Sequence, residues 1–97
     1  MSFETESAIT IRFVPRHERQ ALARLAKLDS REVPDAPFVV AEVDEEIVAA
    51  VATEGDPATL ADPFRPTAQI VSLLEIQARG LRGRRRRSLA ARLRLAA

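Results

Sequence analysis

The 97-residue sequence contains no cysteine, no tyrosine and no tryptophan. Without cysteine the chain cannot form disulfides, thiolate metal sites or a cysteine nucleophile. Only four phenylalanines supply aromatic surface, so large aromatic anchors for a ligand or partner are few.

Glycine is scarce as well, with three residues in the chain, and none of them lies in the loop Asp62–Thr67. This loop stands between a weak strand candidate and the most apolar helix, where an α/β domain would bind an anionic cofactor. A backbone that wraps a phosphate needs positive φ angles and close approach, which glycine supplies and Pro63 and Pro66 do not. The loop therefore argues against an ordinary phosphate-binding turn.

The remaining composition is that of an ordinary globular protein, with 46% hydrophobic and 30% charged residues. Its length allows one small domain. No apolar run approaches the length of a membrane-spanning helix. The first seven residues carry Glu4 and Glu6 and lack the basic start of a signal peptide, so we expect a cytoplasmic protein.

The formal net charge of +1 conceals two halves of opposite charge. Residues 1–78 carry all 14 acids against seven bases, a net charge of −7. Residues 79–97 carry eight arginines and no acid, a net charge of +8. We therefore predict a folded domain over residues 1–81 followed by an arginine-rich tail over residues 82–97.

Hydrophobic periodicity predicts a strand and a helix at the start of the domain. In residues 8–14 apolar and polar positions alternate, which places Ile9, Ile11 and Phe13 on one face of a half-buried strand. An apolar stripe from about residue 16 to residue 28 follows Pro15 and predicts the first helix.

The middle of the chain predicts a β-hairpin. Two runs rich in β-branched residues, 38–43 and 47–53, are separated by the acidic link Asp44-Glu45-Glu46. Both runs are apolar at nearly every position, so both faces of this hairpin should be covered, one by the helices and the other by a partner chain. A short further strand is possible at residues 58–61.

A second helix should begin after Thr67 and end near Arg79, with Gly80 as its C-cap. Together these elements predict a small α+β domain in which three or four mainly antiparallel strands pack against two helices. A basic tail, either helical or disordered, should follow. An open sheet edge and doubly apolar strands favour a homodimer that completes the sheet.

Three stretches in this order resemble the first half of the GCN5-related N-acetyltransferase (GNAT) fold. The stretches are Ile9-Thr10-Ile11-Arg12 with the helix at residues 21–26, the hairpin from Val39 to Ala50, and Ala61-Asp62-Pro63-Phe64-Arg65. The resemblance implies acetyl-CoA as a cofactor, held by Arg65 and the main-chain N–H groups of Thr67, Ala68 and Gln69.

The sequence also departs from that family. The loop after Arg65 lacks the family's glycines, and the resemblance covers about residues 8–79, only the first half of the fold. We therefore expect a non-catalytic binding or scaffold module, with no catalytic residue. The alternative is an acetyl-CoA-dependent N-acetyltransferase that is active only as a dimer.

Other polar candidates favour ordinary roles. His17 is best explained as a solvated residue at a helix end, and the acidic link as a charged turn, not a metal site. Arg65 has two interpretations: it can bind an anion, or it can pair with Asp62 across a tight turn while Phe64 packs into the core.

The arginine-rich tail leaves several possibilities open. Its arginines can bind the phosphates of nucleic acid, lie on a membrane surface together with Leu89, Leu93 and Leu95, remain solvated, or contact the acidic domain. The candidate anion contacts are Arg82, Arg84, Arg85, Arg86, Arg87, Arg92 and Arg94.

Overall fold

The computed structural model describes the backbone of residues 8–96 and the side chains of residues 8–84. It contains β1 (Ile9–Val14), a 3₁₀ helix (Arg16–Leu22), α1 (Ala23–Leu28), β2 (Phe38–Val43), β3 (Glu46–Ala52), β4 (Thr59–Ala61) and α2 (Ala68–Ala96). The four strands form one antiparallel sheet in the order β1-β2-β3-β4. The predicted α+β class, the hairpin and the short fourth strand are thus confirmed.

The first helical region covers one face of the sheet. Leu22, Leu25 and Ala26 are 2% exposed or less and pack with Phe38, Val40 and further strand residues that point to the same side. The predicted helix is divided in two, because residues 16–22 form a 3₁₀ helix before the α-helix begins.

The other face of the sheet is covered by α2. Leu74 and Ala78 lie against Val39, Ala41 and Val51, which alternate along β2 and β3 with the residues of the first core. Helices of the same chain therefore bury the two central strands on both faces, which explains why their sequences are apolar at nearly every position. The expectation that a partner chain covers one of these faces is wrong.

A β-bulge interrupts the pairing of β2 and β3. Ala41 lies opposite Ala49 and Glu42 lies opposite Ile47, so Val48 is the extra residue. Val48 and Ala49 both belong to the α2 core as a result. The carbonyl oxygen of Val48 accepts a hydrogen bond from the N–H of Asp62 over 2.9 Å, which fixes the end of β4 to the bulge.

The hairpin turn is tighter than predicted, because β3 already begins at Glu46. Asp44 and Glu45 alone connect the strands, with φ angles of 53° and 66°. Two positive φ angles in a two-residue loop are typical of a type I′ turn, whose twist matches that of the flanking strands.

The prediction that Gly80 ends the second helix is wrong. The helix α2 runs from Ala68 to Ala96 and passes through Gly80 without a break. Gly55 is the only described glycine with a positive φ, so Gly80 lacks the left-handed conformation of a C-cap. The helix also continues across the predicted boundary between residues 81 and 82.

The expected burial of the β1 face is also wrong. Ile9, Ile11 and Phe13 do share one face, but they are 49%, 40% and 50% exposed. The reason is the position of α2, which packs over β2 and β3 and leaves the edge strand uncovered.

Candidate functional site

The loop before α2 is held in a tight turn by Asp62. The N–H of Phe64 donates to Asp62 Oδ1 over 2.8 Å, and the N–H of Arg65 approaches the Asp62 carbonyl oxygen at 3.3 Å. Asp62 itself is only 4% exposed. This turn shows an aspartate bonding to the backbone two residues ahead, as aspartates in turns often do.

Arg65 is engaged by two carboxylates. Its Nη2 donates to Glu46 Oε1 over 3.1 Å, and its Nε lies 3.7 Å from Asp62 Oδ2. Glu46 is also 3.3 Å from the guanidinium of Arg24. The predicted pairing of Arg65 with Asp62 is confirmed, whereas the accompanying burial of Phe64 is wrong because its side chain is 81% exposed.

A shallow depression of about 230 Å³ lies between this loop, the start of α2 and the end of β1. Arg65 and Thr67 line it together with five apolar residues: Ile9, Val43, Val48, Pro66 and Ile70. An adjoining open depression contains the other two predicted cofactor contacts, Ala68 and Gln69. The structure thus brings the four predicted residues to one place, but the larger part of the surface there is hydrocarbon.

Backbone donors lie at the rim of the first depression. The N–H of Val71 donates to the Thr67 carbonyl oxygen over 2.8 Å, the first bond of the helix. The N–H groups that precede it have no acceptor within the helix. A ligand with an apolar part and a polar end could place its apolar part in the depression and its polar end at these N–H donors. The charge of Arg65 is already balanced by Glu46 and Asp62.

A second feature of this face is an apolar strip along the outermost strand. We call Ile9, Ile11 and Phe13 the β1 strip. They lie opposite Val43, Ala41 and Val39 of β2, so the strip extends the α2 core to the edge of the sheet. The alternation in the sequence correctly placed these three residues on one face of β1. It could not show that α2 packs over β2 and β3 and leaves this face of β1 exposed.

The two edges of the sheet differ. At β4, Arg31 Nη1 donates to the carbonyl oxygen of Thr59 over 2.7 Å, and Asp29 Oδ2 accepts a bond from the N–H of Ala61 at 3.3 Å. At β1, no backbone hydrogen bond to the outer side is found within residues 8–96. The open edge is therefore β1.

Of the predicted tail contacts, Arg82 belongs to the domain. Its Nη1 donates to the carbonyl oxygen of Gly55 over 2.8 Å and its Nη2 to that of Ala52 over 3.1 Å. Arg84 is exposed. The side chains of Arg85, Arg86, Arg87, Arg92 and Arg94 lie outside the described residues.

Other polar groups are dispersed. His17 is exposed at the start of the 3₁₀ helix. Within the described part of the chain, no three histidine, cysteine, aspartate or glutamate side chains are grouped to hold a metal ion. The same residues include no helix whose length and apolar content would allow it to cross a membrane.

Comparison with models of known protein families, with curated proteins and with solved structures finds no match to this chain. The resemblance to the acetyltransferases stays a prediction.

Proposed function

We propose that this chain is a non-catalytic, GNAT-like binding module that associates through the open β1 edge with a second copy of itself. The observation that carries the proposal is the β1 strip, three large apolar side chains that are 40–50% exposed on one unpaired strand. Single exposed apolar residues are common on protein surfaces. A row of them along an open sheet edge is typical of strands that pair with another chain.

A second copy is the partner that fits this edge best. Within residues 8–96 each molecule offers one open edge, since β4 is covered by Asp29 and Arg31. Pairing of β1 with β1 would satisfy both edges at once, and twofold dimers are the commonest oligomers. Such a pair closes on itself and does not propagate into a fibre.

The environment of Arg65 supports a non-catalytic role. A cofactor phosphate would have to compete with Glu46 and Asp62 for its guanidinium. Pro66, which follows it, has no N–H to offer a phosphate. The kinship with acetyltransferases is supported by the order of elements, in which a strand, helix, hairpin, short strand, Asp-Pro loop and helix follow one another.

Sedimentation equilibrium tests the proposed association. We expect a dimer for the unmodified protein and a monomer for Ile11→Asp, because a charge would then lie in the centre of the apolar strip. Phe64→Asp is the matched control, since it places the same charge on an apolar residue that is 81% exposed elsewhere. A clean monomer of the unmodified protein at high concentration would overturn the proposal.

Calorimetric titration with acetyl-CoA tests whether the protein binds the cofactor that the alternative, a dimeric acetyltransferase, would require. We expect no binding heat. A saturable heat that Arg65→Ala abolishes would instead support the dimeric acetyltransferase.

We propose a second, independent candidate function for the tail, the binding of nucleic acid through its arginines. The excess of positive charge over residues 79–97 and the continuation of α2 beyond Arg82 support it. Binding to random duplex DNA should weaken by orders of magnitude as salt rises from about 50 to about 200 mM. Affinity that does not change with salt would exclude this mode.

A further inference from the structure

We infer that two copies pair their β1 strands antiparallel about a twofold axis at Ile11, with Phe13 of each copy opposite Ile9 of the other. The inference rests on the self-association proposed above and adds to it the register of the two strands. The resulting sheet would have eight strands, with both α2 helices on the same face.

Symmetry restricts the possible registers. The two β1 edges can be related by a twofold axis perpendicular to the sheet. This rotation makes the two β1 strands antiparallel and keeps the α2 face of both sheets on the same side. Residues directly opposite each other must then point to the same face, so one residue on the axis faces its own copy. Most of β1 can pair when the axis passes through one of three residues: Thr10, Ile11 or Arg12.

Two of these centres are unfavourable. An axis at Arg12 places two guanidinium groups directly opposite each other, and like charges in that position destabilise a pair of strands. An axis at Thr10 places Phe13 opposite Ser7, outside β1. An axis at Ile11 pairs the strand from Ile9 to Phe13 throughout, and every residue of the β1 strip faces an apolar residue.

The polar face of β1 fits the same register. Arg12 donates to Glu42 over 2.9 Å, and Thr10 lies opposite Glu42 in the β1–β2 pair. With the axis at Ile11, the second copy's Arg12 lies opposite Thr10, in the same row as Glu42. Two arginines and two glutamates then alternate across the junction, so positive and negative charges are matched on this face.

On the α2 face, the two strips merge into one band of six apolar side chains between the two helices. In each isolated copy the side chains of the band are 40–50% exposed. The strand contains neither proline nor an acidic side chain that would disrupt a continuous ladder. Pairing would place each side chain of the strip beside an apolar side chain of the second copy, so its flank at the sheet edge would no longer face solvent.

The absence of cysteine allows a direct test, because a single introduced cysteine can pair only with its counterpart in another molecule. The variants are Thr10→Cys, Ile11→Cys and Arg12→Cys, each oxidised mildly and analysed on a non-reducing gel. Directly opposite Cα atoms are about 4.5–5.5 Å apart, within the range that a disulfide spans. With the axis at Ile11, the cysteines of the other two variants would be about 7–8 Å apart.

We expect Ile11→Cys to form the covalent dimer at least severalfold faster than the other two variants. Faster cross-linking of Thr10→Cys or Arg12→Cys would overturn the register while leaving the association intact. A dimer in sedimentation without a cross-link at any of the three positions would overturn pairing through β1. Monomers throughout would overturn both this inference and the proposed function.

A charge exchange supplies a readout that needs no disulfide. Arg12→Glu should weaken the dimer severalfold, because it places four carboxylates together at the junction. The double variant Arg12→Glu/Glu42→Arg should restore the affinity, since it exchanges the two partners. Failure of the double variant to recover would contradict the proposed arrangement of the polar face.

Discussion

Arg82 Nη1 donates a hydrogen bond to the carbonyl oxygen of Gly55 over 2.8 Å, which ties α2 to the segment that follows β3. The same guanidinium bonds to the carbonyl oxygen of Ala52 over 3.1 Å. An arginine that the charge pattern assigns to the tail is thus part of the domain. Its role in stability can be separated from the charge of the tail.

We predict that Arg82→Ala lowers the free energy of unfolding by about 1–2 kcal/mol, because both hydrogen bonds to a charged group are lost. Arg84→Ala is the matched control and should change it by less than about 0.5 kcal/mol, since that side chain is exposed. Urea denaturation measures both. Equal effects of the two substitutions would contradict the role of Arg82. A deletion designed to remove the tail should therefore begin after this residue.

Gly80→Ala should raise the free energy of unfolding by roughly 0.5–1 kcal/mol. Alanine is the better helix former by about that amount, and a Cβ added at Gly80 would point into open space, with no other part of the protein within 4 Å beyond its own helix backbone and its chain neighbours. If the helix ended at a left-handed Gly80, the same substitution would destabilise the protein. Thermal unfolding followed by circular dichroism gives the sign, which decides between the two conformations.

Glu45→Gly should also stabilise the protein, by about 0.5–1 kcal/mol. Glu45 has a φ of 66°, a conformation that costs a residue with a Cβ about 1–2 kcal/mol. Glycine avoids this cost but loses more conformational entropy on folding, so the net gain is smaller.

Gly55→Ala is the opposite case, because Gly55 has a φ of 73° and alanine should destabilise the protein there. Chemical denaturation of both variants checks the pair; a loss of stability in Glu45→Gly would count against the type I′ turn.

Neighbouring leucines on α2 should respond differently to truncation. Leu74 is fully buried against the sheet, so Leu74→Ala should cost about 2.5–5 kcal/mol. Leu73 is 49% exposed, so Leu73→Ala should cost less than about 1 kcal/mol. Unfolding should be measured at a protein concentration at which association is constant. Similar losses at both positions would mean that α2 packs on a different face.

The sequence predicted the local elements well where one periodicity dominated. The doubly apolar runs at 38–43 and 47–53 predicted a central hairpin with both faces covered, and β2 and β3 are buried on both sides. For the loop from Asp62, the sequence left two interpretations of Arg65 open, and the structure confirms the pairing with Asp62 across a tight turn. In these segments, local pattern and tertiary environment agree.

The errors arose where the answer depends on contacts distant in sequence. Alternation in β1 is the same whether or not a helix lies above it, so the exposure of the β1 strip follows from the placement of α2 alone. Gly80 was predicted to end a helix because glycine usually does so, but continuation of the helix overrides that preference here. The involvement of Glu46 with Arg65 likewise required the bulge and turn geometry that bring the start of β3 beside the loop.

The simple strand order also bears on how the protein folds. Every strand pairs with its neighbour in sequence, and β2 and β3 are joined by only two residues. Pairing of sequence neighbours keeps the entropy of loop closure low, a property associated with rapid folding. The central hairpin can therefore form first and act as the template on which β1 and β4 are added from opposite sides. Among residues 8–96, the open edge belongs to β1, a strand added to that template. Association through β1 would therefore add the strand of a second chain in the same way.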